Sequence, residues 1–563
     1  MSVAKDIKTA LARAIGATGI EIAPNDVPLE HTDNFVHGDY ASGIALARAK
    51  EAGIPVRVLA DNIVAAFPHD GFTKPVMASI EVAGPGFINF HLAPEVFADE
   101  ISTIQAAPEK WGKQPFDSAQ GKRIMVEYTD PNPFKEFHIG HLMSNAIGES
   151  IARLLEFSGA TVFRANYQGD VGPHVAKAIW GKMNDPQLSW GEAYAAGAAA
   201  YEADKEAIDT INKKIYDNLS GRESDPEINA LYDIGRKESL AHFEALYRVL
   251  GTKFDHYFFE SETAPRGMKL VREHPEVFEK SDDAIVFKGE SEGLHTRVFI
   301  TSKGLPTYEA KDLGLAELKD ETWPFEHCIT ITAHEQADYF AVVLAAMHKV
   351  LPNIAPKISH VSHGMMRFAE GKMSSRTGNV VTGEGLLNDL KDAALVRARG
   401  SRADDPEFLA RQIAVGAIKY QILRQASGKD IIFDRDRALS LDGDSGPYLQ
   451  YAHARAHQVV SKAREQGINP RGEASRIPGN AENLVRLMHR FPEVAARAAA
   501  MREPHLVANF LIEFAGRFNS WYAQVHILDG STSSPHKVAI TDAVRATLKN
   551  GLWLLGIPAP EKM

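Results

Sequence analysis

Apolar and polar positions change their period several times along the chain, and each change marks an element. Lys122 to Tyr128 is a short β-rich run, broken by Asp130-Pro131-Asn132-Pro133. Beyond it Ile147, Ile151, Leu154, Leu155 and Phe157 recur at helical spacing, which predicts a helix beginning near Ile139. Ser158-Gly159 stops that helix before a new strand, Thr161 to Arg164. The alternation resumes in Ala284 to Phe287, Arg297 to Thr301, His327 to Thr332 and Ile358 to Val361, with helices such as Ala337 to Val350 between. Strands alternating with helices predict an α/β, Rossmann-like doubly wound parallel sheet, with ligand at the carboxyl ends of its strands.

Three other regions have a different texture. Residues 1–112 begin with a helix-like segment, continue through Ala41 to Ala49 and end in a strand-turn-strand, Ile80 to Phe90, the pattern of a small α+β module. Between about 173 and 252 the chain is helical, charged and alanine-rich, as in Glu192 to Asn212 and Glu227 to Leu250, and reads as an insertion within the nucleotide domain. From 385 nearly everything is helical, with Ala414 to Gln425, Leu449 to Lys462 and Val507 to Gln524 amphipathic, which predicts an all-α bundle. The expected domains are therefore 1–112, 113–384 and 385–563.

The predicted helix start carries the chemistry. His138-Ile139-Gly140-His141 sits at a helix N-terminus after a strand, where unpaired N–H groups and the helix dipole favour phosphate. Gly140 lets a nucleotide approach the backbone, and the two imidazoles donate to phosphate oxygens as charge develops. Far downstream, Gly371-Lys372-Met373-Ser374-Ser375-Arg376 follows a strand-like Lys357 to His363 and runs into Thr377-Gly378-Asn379. That is a donor-rich loop able to close over a triphosphate. Together the two segments predict ATP binding and formation of an acyl-adenylate, with His138, Gly140, His141, Lys372, Met373, Ser374 and Ser375 on the nucleotide.

Composition narrows the setting. The chain has 563 residues, is 44% hydrophobic and contains one cysteine, Cys328, which excludes intrachain disulfides and cysteine-cluster zinc sites. No run approaches the about 18 apolar residues of a membrane span, and the amino-terminal residues lack a secretory pattern. A formal charge of −11 argues against indiscriminate nucleic-acid binding, DNA included, but leaves room for a basic face built from stretches such as Lys419 to Lys429 and Arg486 to Arg502. The expectation is a cytoplasmic monomer without a resident metal.

The two segments resemble the hallmark His-Ile-Gly-His and Lys-Met-Ser-Lys-Ser motifs of class I aminoacyl-tRNA synthetases, with Ser375 where the second lysine is usual. Glu127 to Leu142, with Pro131-Asn132 and Lys135 ahead of the histidines, resembles the arginyl-tRNA synthetase version. Asn34 to Ala41, Ala83 to Phe90, Tyr167 to Gly172, Pro447 to Arg455 and Asn550 to Ile557 resemble other blocks of that family, so the likeness covers nearly the whole chain. It implies L-arginine, ATP with Mg2+, and tRNA(Arg) as partners, and a helical carboxyl-terminal half that holds the anticodon.

Site residues carry over one at a time. The resemblance puts Glu127, Tyr308 and Asp312 against the guanidinium, and Asn132 and Gln336 against the α-amino and carboxylate ends. Asp130 stands where serine is commoner. Tyr308 and Asp312 lie four apart and share a helical face, and a guanidinium with five donors needs such carboxylate and hydroxyl partners. Tyr448, Tyr451 and Trp521 are candidate stacking residues for unpaired bases. Lys135 is expected to supply the charge missing at Ser375 and so to act with His138, His141 and Lys372 in catalysis. K135A should then lower kcat for adenylation much more than it changes arginine affinity, and S375K should recover part of the rate. Pyrophosphate exchange measures both, and an undiminished rate in K135A would move the role to Arg376 or Lys372.

Overall fold

The computed structural model describes residues 3–68, 76–114, 119–219, 221, 225–368, 382–401, 403–470 and 478–563. By its internal contacts the chain forms two compact units. One is Met1–Gly112 with Ala452–Glu493 and Glu513–Asn550; the other is Lys113–Tyr451 with Val494–Ile512 and Gly551–Met563.

A five-stranded sheet organises the larger unit. In space its strands run Ile358–His363, His327–Ala333, Arg123–Glu127, Thr161–Gln168, His256–Phe259, every neighbouring pair parallel. The central strand is sealed on both faces, which is why Ile124-Met125-Val126 shows no alternation. From Arg123–Glu127 the chain lays two strands on one side, then returns to lay two on the other. The reversal leaves a crevice at the carboxyl ends of Arg123–Glu127 and His327–Ala333.

One sequence expectation needs correction here. Ala284–Phe287 and Arg297–Ile300 do not join the parallel sheet; they pair antiparallel with each other and, through Ala284–Phe287, with Glu279–Ser281. The short link between them suits a hairpin, whereas a parallel neighbour needs a crossover of about a dozen residues or more. The fifth parallel strand is instead the four-residue His256–Phe259, too short and too little alternating to stand out. The stretch Glu192 to Asn212 is helical, as expected. It divides into Trp190–Ala200, opened by a reciprocal Ser189/Glu192 cap, and Lys205–Leu219.

The insertion closes on the nucleotide domain through a shared core of Phe134, Val171, Val175, Ile179, Ile208, Ile215 and Tyr232. Phe134 belongs to the strand-to-helix connection, so the insertion packs directly beneath the histidine motif.

That connection is strained. Thr129 and Asp130 have φ of 80° and 44°, a region L-residues avoid at a cost of about 1–3 kcal/mol each. The Ile139–Phe157 helix holds them there. Ser144 Oγ accepts from the Thr129 N–H at 2.9 Å, Asn145 Nδ2 donates to Thr129 Oγ1 at 3.0 Å, and the Tyr128 hydroxyl donates to Glu149. Burial pushes the Glu149 carboxyl up, but Arg153 at 2.6 Å and Arg164 at 3.2 Å outweigh it and keep it below the ordinary range.

The same helix also grips the end of the chain. Arg153 donates to the Trp553 carbonyl at 2.9 Å and Ser150 to that of Leu554 at 2.7 Å. Lys419 reaches the Gly556 carbonyl at 3.0 Å and that of Leu250 at 2.7 Å, and Gln450 reaches Pro558 at 3.0 Å. Lys419 is thus a buried clamp, its pKa pulled down to about 7 by burial, rather than part of a basic surface.

In the smaller unit the four-stranded sheet of Glu30–His31, Tyr40–Ser42, Phe87–Leu92 and Met77–Ala83 is antiparallel. Gly38 turns into it at φ 89°, so close to the Phe90 carbonyl that a Cβ would lie 2.5 Å away. Asp39 accepts from the Leu92 N–H at 2.9 Å and pairs with Arg486 at 2.7 Å, which removes Arg486 as well from any basic face.

Gly148 faces the fully buried Tyr128, and a Cβ there would lie 2.2 Å from the ring. G148A should destabilise the fold by about 3 kcal/mol through overpacking, read as a lowered Tm in thermal denaturation. An unchanged Tm would mean that Tyr128 is free to move.

Candidate active site

A cavity of about 610 Å3 occupies the crevice where the strand order reverses. Glu127, Asp130 and Asn132 enter it from the strand end, and His138, Gly140 and His141 from the helix start. Tyr308 and Asp312 face it from the Tyr308–Thr322 helix, and Gln336 and Tyr339 from the far side. Sequence candidates separated by some two hundred residues therefore share one cavity.

At the helix start the rings of His138 and His141 stack with centroids 3.5 Å apart. His141 Nδ1 accepts from the His138 backbone N–H at 3.2 Å, so the imidazole carries its proton on Nε2 and offers a donor. Burial, reinforced by His138 and Lys135, keeps His141 neutral well below its ordinary range. Gly140 serves a second purpose that its motif did not reveal. A Cβ there would lie 2.9 Å from His138 Cε1, so only glycine lets that ring fold back over the turn.

Lys135 lies with its Nζ 4.8 Å from the centre of the Tyr194 ring. Burial lowers its pKa while Glu260 pulls it back up. Lys372, Met373, Ser374 and Ser375 lie outside the described residues.

Charge at the other end is mostly paired. Glu127 lies 2.5 Å from Lys319, both almost fully enclosed, and Glu260 lies 2.5 Å from Lys311. Glu309 meets Arg297 at 3.2 Å, with the guanidinium 5.5 Å from the centre of the Tyr339 ring. Asp130 and Asp312 differ, since neither has a cationic partner among the described residues. Asp130 accepts from the Tyr167 N–H at 2.7 Å, and Asp312 from the Tyr339 hydroxyl at 2.6 Å. Burial, then Glu127, raises Asp130 well above the carboxylate range. Burial also raises Asp312, to about 7. Tyr308 stands at the mouth, half exposed, and Asn132 packs so tightly on Gly169 that a Cβ there would lie 2.2 Å from its Oδ1.

Sequence reasoning missed Lys319, Glu260, Arg297 and Tyr339. Lys319 had a signal, because it lies two turns beyond Asp312 on the same helix. Glu260 had another, a carboxylate ending an apolar strand as Glu127 does.

Three family models match the chain: tRNA synthetases class I (R), catalytic domain, over residues 103–435; the DALR anticodon binding domain over 449–563; and the arginyl tRNA synthetase N terminal domain over 2–92. The arginine–tRNA ligase of Clostridium perfringens is 30% identical over 90% of this chain and 91% of its own length. The chain belongs to the arginyl-tRNA synthetases. Among other members of the family, the arginine–tRNA ligase of Treponema denticola is 29% identical over 99% of this chain and 100% of its own. The arginyl-tRNA synthetase of Thermus thermophilus superposes with a TM-score of 0.81 at 25% identity, covering both chains completely. The expected architecture, a parallel-sheet catalytic domain with an amino-terminal module and a helical carboxyl-terminal domain, is thus that of the arginyl-tRNA synthetases.

Trp521 is 4% exposed and has no face open to a base, which removes it from the stacking candidates. Tyr448 is partly buried, and Tyr451 lines a small apolar cavity beside Ala394 and Leu439.

The Glu127–Lys319 pair generates a stability prediction. K319M should cost about 3–5 kcal/mol by stranding a buried carboxylate, and K319M/E127Q should recover most of it. Denaturant titration of the three proteins measures this; equal losses in single and double variants would mean that the pair is not coupled.

Proposed function

We propose that this cavity is where the chain activates arginine for ligation to tRNA(Arg). The observation that carries the reading is one crevice with the stacked His138 and His141 at one end and Tyr308, Asp312 and Asp130 at the other. An arginine carboxylate oxygen bonds to the α-phosphorus of ATP, the bond to the bridging oxygen breaks, and pyrophosphate leaves with the electron pair. A hydroxyl of the terminal tRNA ribose then attacks the carbonyl carbon and AMP departs.

In this reading the guanidinium meets Asp312 and Tyr308, with Glu127 behind them held by Lys319. Asn132 and Gln336 take the α-amino and carboxylate ends. His138 and His141 donate as neutral imidazoles to phosphate oxygens, and the amide groups of the helix N-terminus add to the same field. Lys135 adds positive charge beside the histidines, and Lys372 to Ser375 close over the triphosphate. Positioning and charge stabilisation suffice for adenylation, so no side chain need act as a general base.

Mg2+ is assigned to the nucleotide. No group of three His, Cys, Asp or Glu side chains converges among the described residues, and Mg2+ would come with ATP, where it would offset phosphate charge; no step here is routed through it.

We assign residues 1–112, 113–384 and 385–563 as amino-terminal, catalytic and anticodon-binding domains, with Tyr448 and Tyr451 as candidate contacts to tRNA bases. We also propose a cytoplasmic monomer that does not bind DNA. No helix among the described residues is long and apolar enough to cross a membrane.

D312A tests the pocket. Removing the carboxylate leaves the guanidinium without its partner, so the KM for arginine in aminoacylation should rise about a hundredfold, equivalent to about 3 kcal/mol, while the KM for ATP stays within about twofold. An unchanged arginine KM would show that the guanidinium is read elsewhere.

A further inference from the structure

Six acidic side chains line the cavity; Glu335 is exposed, and of the other five three are matched by a cation. Glu127 has Lys319, Glu260 has Lys311 and Glu309 has Arg297. Asp130 and Asp312 have only neutral donors, the Tyr167 N–H and the Tyr339 hydroxyl. Two carboxylates enclosed in one cavity without counter-charge are costly when both are ionised. Arginine brings two cations, its guanidinium and its α-ammonium, and one carboxylate, so it supplies a matching pair of positive charges.

We propose that arginine enters this cavity in exchange for a proton that the free protein holds on Asp130 and Asp312, so that substrate uptake is linked to pH. The proposal rests on the pocket assignment above. It gives Asp130 a role that serine, the commoner residue at this position of the motif, would not fill, since a hydroxyl releases no proton near neutral pH.

The surrounding charges support the exchange. From the central strand Glu127 repels both aspartates, and from its own helix Lys319 attracts them without matching their combined charge. Glu260 adds repulsion at Asp312. Tyr167 and Tyr339 are held protonated by burial, so both remain donors. His141 is neutral and contributes no positive charge, and Arg297 is engaged by Glu309.

The sign follows directly. Both aspartates are raised, so acid favours their protonated forms, which bind a cation poorly, and arginine affinity rises with pH. The rise continues until both carboxyls have ionised, Asp312 being displaced to about 7 and Asp130 also upward. Because the two groups interact, the measured transition belongs to the pair.

Calorimetric titration of the full chain with L-arginine, in buffers of different ionisation enthalpy, counts the protons directly. At about pH 6 we expect about one proton released per arginine bound, and fewer as the pH is raised and the carboxyls of the free protein ionise. Over about pH 5.5–7 the Kd should fall by up to about tenfold per pH unit, and the arginine KM in aminoacylation at saturating ATP and tRNA should follow it. The ATP KM over the same range is the internal control. D130N should release fewer protons and flatten the profile, and D130S should do the same while restoring the family's usual residue. A buffer-independent heat at about pH 6, together with a flat arginine KM, overturns the exchange. If D312A leaves arginine binding unchanged, the pocket assignment itself fails. If D312A weakens binding but the wild type releases no proton, only the linkage fails.

Discussion

Two consecutive residues with unfavourable backbone angles, Thr129 and Asp130, are the constraint on which the site depends. They stay in place because Ser144, Asn145 and Glu149 on one helix grip the Tyr128–Thr129 segment. That helix is the one whose first turn carries His138, Gly140 and His141. The segment proposed to read the amino acid and the turn proposed to hold phosphate are therefore bolted to a single rigid rod. An error in one moves the other, which suits a reaction that must bring a carboxylate within bonding distance of a phosphorus atom.

Charge is organised around the same strand end. Glu127 is retained in the interior by Lys319 on the neighbouring helix, while Asp130 and Asp312, which have no cation partner among the described residues, open onto the cavity. Glu127, Glu260 and Glu309 are matched by cations within the fold, whereas Asp130 and Asp312 are left for the arginine that the proposed function places there. Tyr339 and Tyr167 orient the unmatched pair through hydrogen bonds without cancelling its charge.

Much of this was legible in the residues. The histidine tetrad stood out because a β-rich run, a proline-rich break and a helical period surround it, and Tyr308 and Asp312 because four residues bring two side chains to one helical face. What was not legible shares a cause. Period reveals that a segment is a strand but not which strand it pairs with, so Ala284–Phe287 and Arg297–Ile300 were assigned to the wrong sheet. Likewise a lysine in a charged helix looks solvated until the partner that buries it is known. Lys419 was misjudged in this way, its partners Leu250 and Gly556 lying 169 and 137 residues away, and Lys319 was missed, its partner Glu127 lying 192 residues away.

The carbonyl groups of Trp553, Leu554, Gly556 and Pro558 are held by Arg153, Ser150, Lys419 and Gln450. Ser150 waits 404 residues for the partner it binds. During synthesis the nucleotide-binding helix therefore emerges from the ribosome long before the segment that completes its packing. Until then Arg153 and Lys419 lack carbonyl partners that the finished fold supplies. Final closure of the catalytic unit is therefore a late event, reached only after the helical half has been made.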